Sequence, residues 1–324
     1  MKQEVKASIL VITYNQVDRI ERAINSLLRQ ECSYKWEIIL ADDASTDGTR
    51  RVCERFAADY PELIRIMPYA KNKGLVGNYF DAFEIARGEY ISDCAGDDEW
   101  LDPKRLQRQI EFLDSHPECS VCFCDVEVYK DGERVGLHSQ DKSRNGYFKE
   151  HVEGYALLTG VLNNTVSLPY TLSAALYRKD AVMSIYIKHR EMLRNEKGGI
   201  EDVPLIAALG ATGDGGYLPI TGYRYYIEGE SISNNLSYEK EYRFYSGVLR
   251  LVRKLAEFYK VPLSELKDHY QSKISHIAAQ ARHANAPELI EDIKAISADW
   301  SMPIPLRGRI HLLLLSLQRK KPGV

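Results

Sequence analysis

The sequence predicts an α/β fold, with a mostly parallel central sheet flanked by helices and a helical C-terminal region. Three observations carry that prediction. Apolar, β-branched runs such as Ala7-Ser8-Ile9-Leu10-Val11-Ile12-Thr13 read as strands buried on both faces. Such runs alternate with segments whose apolar residues recur at helical spacing, which implies crossover units and parallel pairing. After about residue 235 the strand runs stop and helical periodicity takes over.

The first strand ends at Tyr14-Asn15-Gln16, and Asp18 is placed to cap a helix carrying Ile20, Ala23, Ile24, Leu27 and Leu28. Trp36 to Ala41 reads as the second strand, and Thr49 to Tyr60 as the next helix. Leu63 to Met67 is a third strand, Asn72-Lys73-Gly74 a turn, and Gly77 to Arg87 a helix ended by Gly88. The fourth strand, from Gly88 to Ala95, runs into Gly96-Asp97-Asp98-Glu99-Trp100. A helix from about Pro103 to Leu113 turns Leu106, Ile110 and Leu113 inward, with Lys104, Arg105 and Arg108 expected on its solvated face. Ser120 to Tyr129 is a long strand turned by Asp131-Gly132, and Glu133 to Phe148 reads as irregular. Strands are expected again over Thr171 to Arg178 and Leu218 to Tyr226, with Arg178 read as pairing on the surface rather than approaching a phosphate, and a loop from Ile227 to Ser237. The chain thus divides into a first domain over 1–235 and a helical region over 236–324.

The bulk numbers narrow the class. A chain of 324 residues, 44% hydrophobic and 27% charged, has an ordinary globular composition. A net charge of −3 leaves no basic footprint, which argues against nucleic acid as a partner. The N-terminus has no signal-peptide pattern, and no apolar run approaches the roughly 20 residues of a membrane span. The six cysteines are scattered, and Cys122 and Cys124 alternate with Val121 and Phe123 as in a buried strand. They are expected to be free structural thiols in a reducing cytoplasm. The histidines are dispersed without metal-ligand spacing. The nicotinamide-binding Gly-x-Gly-x-x-Gly, the P-loop and the Gly-x-Ser-x-Gly elbow are all missing.

Two acidic clusters carry the chemistry. Asp42-Asp43 follows the second strand and Asp97-Asp98 the fourth, and short crossovers put both on the ligand-binding edge of the sheet. Adjacent carboxylates repel, and that cost falls when a divalent cation sits between them and a phosphate. The competing reading is a polar turn in which Asp98 or Asp102 caps the following helix. Asp43 is placed to accept hydrogen bonds from a base or ribose, although Asp-Ala-Ser-Thr-Asp-Gly is also a turn signal by itself. In a third stretch, Gly198-Gly199-Ile200-Glu201-Asp202-Val203-Pro204-Leu205, Asp202 either caps a helix with Pro204 in its first turn or serves as a positioned carboxylate.

Taken together, Ile9 to Asn15, Glu37 to Thr49, Asn72-Lys73-Gly74, Arg87 to Ile91 and Gly96-Asp97-Asp98-Glu99-Trp100 resemble the family-2 glycosyltransferases of bacterial surface-polysaccharide synthesis. The resemblance spans about residues 7 to 125 and implies the Rossmann-like GT-A fold. It implies an inverting, metal-dependent transfer of a sugar from a nucleotide-diphosphate donor, most often a UDP-sugar. The acceptor would be a hydroxyl of a glycan or lipid-linked molecule, as in capsule or lipopolysaccharide. By the same resemblance Tyr14 and Asp43 hold the nucleotide base and Asn78 belongs to the donor site. Asp97 touches ribose or phosphate and joins Asp98 at a Mn²⁺ or Mg²⁺ ion. Asp202 is the catalytic base, with Glu201 second to it, and the loop from Ile227 closes over the diphosphate, which makes Ser231 in it and Arg224 in the strand before it candidates for contact. Ala95 departs from the frequent Asp-x-Asp form of the metal motif. Three other readings compete. A sugar nucleotidyltransferase lacks its Gly-rich loop here, a polymerising synthase lacks its membrane helices, and a non-catalytic glycan-binding or scaffold protein has no need of Asp43, Asp97, Asp98 and Asp202 together.

In the second region Tyr242, Tyr245, Leu249, Val252, Ala256 and Tyr259 share one helical face, read as core. Ser264 is placed to cap a helix carrying Leu266, Tyr270, Ile274, Ile277 and Ala281, and Pro287 starts a third. This region either packs on the first domain, forms a homo-oligomer or binds a partner. The tail from Arg307 to Lys321 is apolar with basic flanks. It either lies in the interface of an anionic bilayer, peripheral at the inner face of the membrane, or packs as an ordinary terminal helix.

Overall fold

The structure is a computed structural model that describes residues 4–68, 71–141, 149–165, 171–195, 199–227 and 237–318. Four strands open the chain: β1 (Ala7–Thr13), β2 (Trp36–Asp42), β3 (Ile64–Ile66) and β4 (Tyr90–Ala95), with β3 at the edge only partly buried. Between them lie α1 (Ile20–Leu28), α2 (Thr49–Asp59) and α3 (Gly74–Ile85). The chain continues through β5 (Glu99–Trp100), α4 (Arg105–Ser115), β6 (Cys119–Lys130), β7 (Glu133–Leu137) and β8 (His151–Val152). Then come α5 (Gly154–Asn163), β9 (Ala175–Arg178), α6 (Lys179–Tyr186), α7 (Arg190–Leu193), α8 (Asp202–Thr212) and β10 (Asp214–Ile227).

The strands form one sheet in the order β3-β2-β1-β4-β9-β6-β10-β5, with β7 on β6 and β8 on β10. Strands β1, β2, β3, β4, β6 and β10 run one way, and β5, β7, β8 and β9 the other. The core of this layer is where periodicity places it: Ile20, Ala23, Ile24 and Leu27 of α1 pack with Ile9, Val11, Ile38 and Leu40. The chain separates into two compact units, residues 1–161, 165–196 and 200–227, and residues 162–164, 197–199 and 228–324.

Several local expectations are corrected, each for a tertiary reason. Asp18 does not cap α1; its N-cap is Arg19, and the carbonyl of Gln16 accepts the Arg19 and Ile20 amides. Helix α3 starts at Gly74 rather than Gly77, because the Asp43 carboxylate accepts the amides of Lys73 and Gly74. Gly88 follows α3 for a reason other than a helix cap: a Cβ there would lie 2.4 Å from the Ser8 backbone nitrogen on β1. Arg105 is fully buried instead of solvated. Its guanidinium stacks 3.6 Å from the Trp100 ring, and its Nε donates to Gln109 at 2.9 Å. Arg178 is half-buried and donates to the carbonyls of Leu113 (2.7 Å), His116 (3.3 Å) and Cys119 (2.9 Å), so it caps the C-terminal end of α4. Asp131 and Gly132 both take positive φ, 52° and 84°, and the resulting tight turn makes residues 133–137 the hairpin strand β7 rather than irregular chain. Of the six cysteines, Cys53, Cys94, Cys119, Cys122 and Cys124 are buried, and all six are free.

The second unit contains α9 (Tyr238–Phe258), α10 (Lys267–His283), α11 (Leu289–Asp299) and α12 (Leu306–Gln318). Tyr242, Leu249, Val252 and Ala256 of α9 are buried, as are Tyr270, Ile274, Ile277 and Ala281 of α10. Ser264 sits inside a short 3-10 turn, Leu263–Leu266, and does not cap α10. Among the described residues no helix is long and apolar enough to cross a membrane.

Candidate active site

The C-terminal ends of β1, β2 and β4 meet at one edge of the sheet, since β1 pairs with both of the others in parallel register. The two loops that follow β1 and β2 are stitched together. Asn15 donates its amide to Ser45 Oγ at 2.8 Å, and its Oδ1 accepts the Thr46 amide at 2.8 Å. Gln16 and Val17 donate their amides to Thr49 Oγ1 and Asp47 Oδ2. Asn15 and Ala44 take left-handed backbone, φ 53° and 58°, to make this crossing. Tyr14 stands at the rim, 48% exposed.

Asp43 is buried beside it, and its amide donates to the Thr13 carbonyl at 2.9 Å. Its two carboxylate oxygens accept the Lys73 and Gly74 amides, each at 2.8 Å. So Asp43 orients the start of α3 and keeps its remaining lone pairs for another donor. Asn78, one turn into α3, donates to the Ala41 carbonyl at 2.7 Å, while its Oδ1 is buried without a partner among the described residues.

The acidic motif continues β4. Gly96 fits because a Cβ there would fall 2.6 Å from Thr13 Oγ1 and 2.4 Å from Gln16 Oε1. Asp98 is almost entirely buried, accepting from the Tyr223 hydroxyl and from the Tyr226 amide at 2.9 Å. Burial, and then the charge of Asp97, push its carboxyl well above the usual range. Burial raises the Asp97 carboxyl too, against the opposing charges of Arg19 and Arg22. Arg22 donates to the Asp97 carbonyl, and its guanidinium lies 3.8 Å from the Tyr226 ring.

Two desolvated, mutually repelling carboxylates are a hard-oxygen donor set that a divalent cation relieves. Among the described residues no group of three His, Cys, Asp or Glu side chains is placed to hold a metal ion.

A second carboxylate group lies at the start of α8. Asp202 Oδ1 accepts the Leu172 amide at 3.2 Å, and Glu201, at the N-cap, has a buried Oε2 without a partner among the described residues. Asp93, inside β4, is buried, hydrogen-bonds Ser173 and has an Oδ1 without a partner among the described residues. Burial raises Asp202 to about 6. Burial and the Asp202 charge raise Asp93 to about 7, and burial and both neighbours raise Glu201 well above its usual range. Tyr79 and Tyr177 close the group, their hydroxyls 2.7 Å apart.

The fold therefore brings Tyr14 and Asp43 to one edge, joins Asp97 to Asp98, and sets Glu201 beside Asp202. Arg224 is placed differently: its guanidinium pairs with Glu127 (2.8 Å) and Glu99 (3.3 Å) over the Tyr129 ring. Ser231 lies outside the described residues. Asp93, Tyr223, Tyr226 and Arg22 were not anticipated from sequence. Asp93 left one readable signal, a carboxylate in the middle of an apolar strand run; the other three left none.

A parallel β3-β2-β1-β4 layer whose fourth strand is followed by Gly-Asp-Asp, extended by a mixed second half, is the GT-A fold of glycosyltransferases. The fold is shared with Staphylococcus aureus TarS 1–349 in complex with UDP-GlcNAc (TM-score 0.57, 20% identity, 98% of this chain and 92% of that one). It is also shared with the mannosyltransferase PcManGT from Pyrobaculum calidifontis in complex with GDP-Man and Mn²⁺ (TM-score 0.54, 17% identity, 98% and 86%). A sequence model of glycosyl transferase family 2 matches residues 8–185, more than half of the chain. The chain belongs to that family. Among curated proteins it is 45% identical over 126 residues to the uncharacterized protein Rv1520 of Mycobacterium tuberculosis, covering 39% of this chain and 36% of the relative. It is 39% identical over 130 residues to the putative glycosyltransferase EpsE of Bacillus subtilis, covering 40% and 46%. The chain thus matches less than half the length of these relatives.

Proposed function

We propose that this protein transfers a sugar from a nucleotide-diphosphate donor to a hydroxyl of a glycan or lipid-linked acceptor in surface-polysaccharide synthesis, with inversion at the anomeric carbon. The observation that carries the reading is the presence, in one compact unit, of two separate carboxylate sets: Asp97-Asp98 at the end of β4 and Asp202 at the start of α8. One set suits a cation and diphosphate, the other a hydroxyl proton. The family, and a curated relative named a putative teichuronic acid biosynthesis glycosyltransferase, TuaG of Bacillus subtilis, support the surface-polysaccharide class. The UDP-GlcNAc complex of TarS supports a uridine donor.

In this reading Tyr14 offers its exposed ring to the base, and Asp43 and Asn78 accept from donor groups of the nucleoside. Asp97 and Asp98 hold Mn²⁺ or Mg²⁺, which when bound stabilises the charge developing on the diphosphate. Asp202 accepts the proton of the acceptor hydroxyl as its oxygen bonds to the anomeric carbon and the bond to the diphosphate breaks on the opposite face. Glu201 and Asp93 flank Asp202, whose charge raises both of their carboxyls. Arg224 and Ser231 are assigned to diphosphate contact, which for Arg224 requires exchange of its Glu127 and Glu99 partners. The catalytic domain covers 1–235 and the helical region 236–324.

The test is calorimetric titration of nucleoside diphosphates with and without Mn²⁺ against the wild type, Asp98→Ala and Asp202→Asn. Metal-dependent binding of one nucleotide, lost in Asp98→Ala and kept in Asp202→Asn, is expected. Failure of every nucleotide to bind the wild type removes the proposal in favour of a non-catalytic scaffold.

A further inference from the structure

Helix α12 is apolar on two faces, and only one of them is covered. Gly308 and Leu315 are buried, and Gly308 lies against Ile304 and against Ser275 of α10, where a Cβ would stand 2.8 and 3.6 Å from the two residues. On the other side Leu306, Ile310, Leu313, Leu314 and Leu317 point outward, between 41% and 66% exposed. At 3.6 residues per turn these five fall within an arc of about 100°.

The charges around this stripe are not random. Arg309 projects just beyond one margin of the arc and Arg307 just beyond the other, and both are exposed. Arg319, Lys320 and Lys321 follow the helix in the sequence. Arg282 and His283 of α10 add to the same field. After burial, the charges of Arg282, Arg307 and His283 are what hold the His311 imidazole below its usual range. An apolar stripe bordered on both sides by arginine matches the layered chemistry of a lipid surface, with hydrocarbon at the centre and phosphate at the edges. Thirteen residues make a helix of about 20 Å, too short to span a bilayer and long enough to lie in its interface.

We propose that α12 seats this protein on an anionic lipid surface, with Leu306, Ile310, Leu313, Leu314 and Leu317 in the acyl boundary and Arg307 and Arg309 on the headgroup phosphates. The inference does not rest on the proposed sugar transfer.

The experiment is co-sedimentation of the full chain with phosphatidylcholine vesicles, with and without phosphatidylglycerol. Three proteins are compared: wild type, Leu313→Glu/Leu317→Glu and Arg307→Gln/Arg309→Gln. All changed positions are exposed, so unchanged thermal midpoints are expected and verify folding. Wild type should bind the anionic vesicles and not the neutral ones. The leucine pair should abolish binding, and the arginine pair should weaken it roughly tenfold or more. Wild type that stays in the supernatant, equal binding to neutral vesicles, or variants that bind as wild type overturn the proposal. So does a concentration-dependent dimer, lost in the leucine pair, in a protein that ignores vesicles; the face would then be a contact between copies of this chain.

Discussion

Tyr223 on β10 donates its hydroxyl hydrogen to Oδ2 of Asp98, 125 residues earlier in the chain. The late half of the sheet thereby holds the acidic motif that the early half presents, with the Tyr226 amide on Oδ1 as a second clasp. Tyr223→Phe strips one donor from a buried carboxylate. An unfolding free energy lower by about 1–3 kcal/mol at neutral pH is expected in urea denaturation. An unchanged midpoint would mean that water takes the place of the hydroxyl.

In the proposed reaction Asp202 takes the acceptor proton only when ionised, and burial raises its carboxyl to about 6. The rate of sugar transfer is therefore expected to rise with pH through about 6 and level off above it. Asp202→Asn should lower kcat by about 10²–10⁴-fold and lose that acid limb, with donor affinity retained. Initial rates across pH 5 to about 8 measure both. A limb that survives in Asp202→Asn assigns the base elsewhere.

Asp93 gives a stability prediction of definite sign. Its folded carboxyl, at about 7, lies above the ordinary value of 3.8, so the folded state binds more protons than the unfolded state between those values. Its contribution is complete below the ordinary carboxylate range and is lost as pH rises through about 7. Asp93→Asn should therefore stabilise the protein relative to wild type increasingly as pH rises across that window, by on the order of 1 kcal/mol per pH unit. Paired thermal midpoints at acid and neutral pH show the trend, and a difference that does not change with pH refutes it.

Two glycines are close-approach sites of different severity. A Cβ on Gly88 would meet the Ser8 nitrogen at 2.4 Å and the Ala7 carbonyl carbon at 2.6 Å, both backbone. Gly88→Ala should cost about 1–3 kcal/mol or more, since β1 cannot move aside. On Gly96 the nearest atom, Gln16 Oε1 at 2.4 Å, ends a flexible side chain that can shift, whereas Thr13 Cβ, at 2.7 Å, is fixed to β1. Gly96→Ala should cost less stability than Gly88→Ala while weakening nucleotide binding, because Gln16 hydrogen-bonds Asp97. Denaturation midpoints and nucleotide titration of the two variants separate the effects.

The strands β1 to β4 and helices α1 and α2 were legible because their residues are selected for local periodicity: continuous apolar runs for strands covered on both sides, and helical spacing for one-sided helices. The acidic clusters were legible because carboxylates at strand ends stand out against those runs. Arg105 was misread because burying a guanidinium takes Trp100, Gln109 and Ser92 together, and these approach it only in the folded chain. Arg178 was misread likewise, since the α4 carbonyls it satisfies lie more than 60 residues away in sequence.

By itself the sequence determined the α/β class, the order of the early strands along the chain and the family, and it singled out Asp43, Asp97, Asp98 and Asp202 as candidates. Tertiary structure alone decided which partners those carboxylates have: Gly74 for Asp43, Tyr223 for Asp98, Leu172 for Asp202. It also decided that Asp93 lies within reach of the Asp202 charge and that one apolar face of α12 stays open. The division has one physical cause. Periodicity and turn chemistry are local and can be read along the chain, whereas desolvation and pairing depend on groups that only folding brings within a few ångströms.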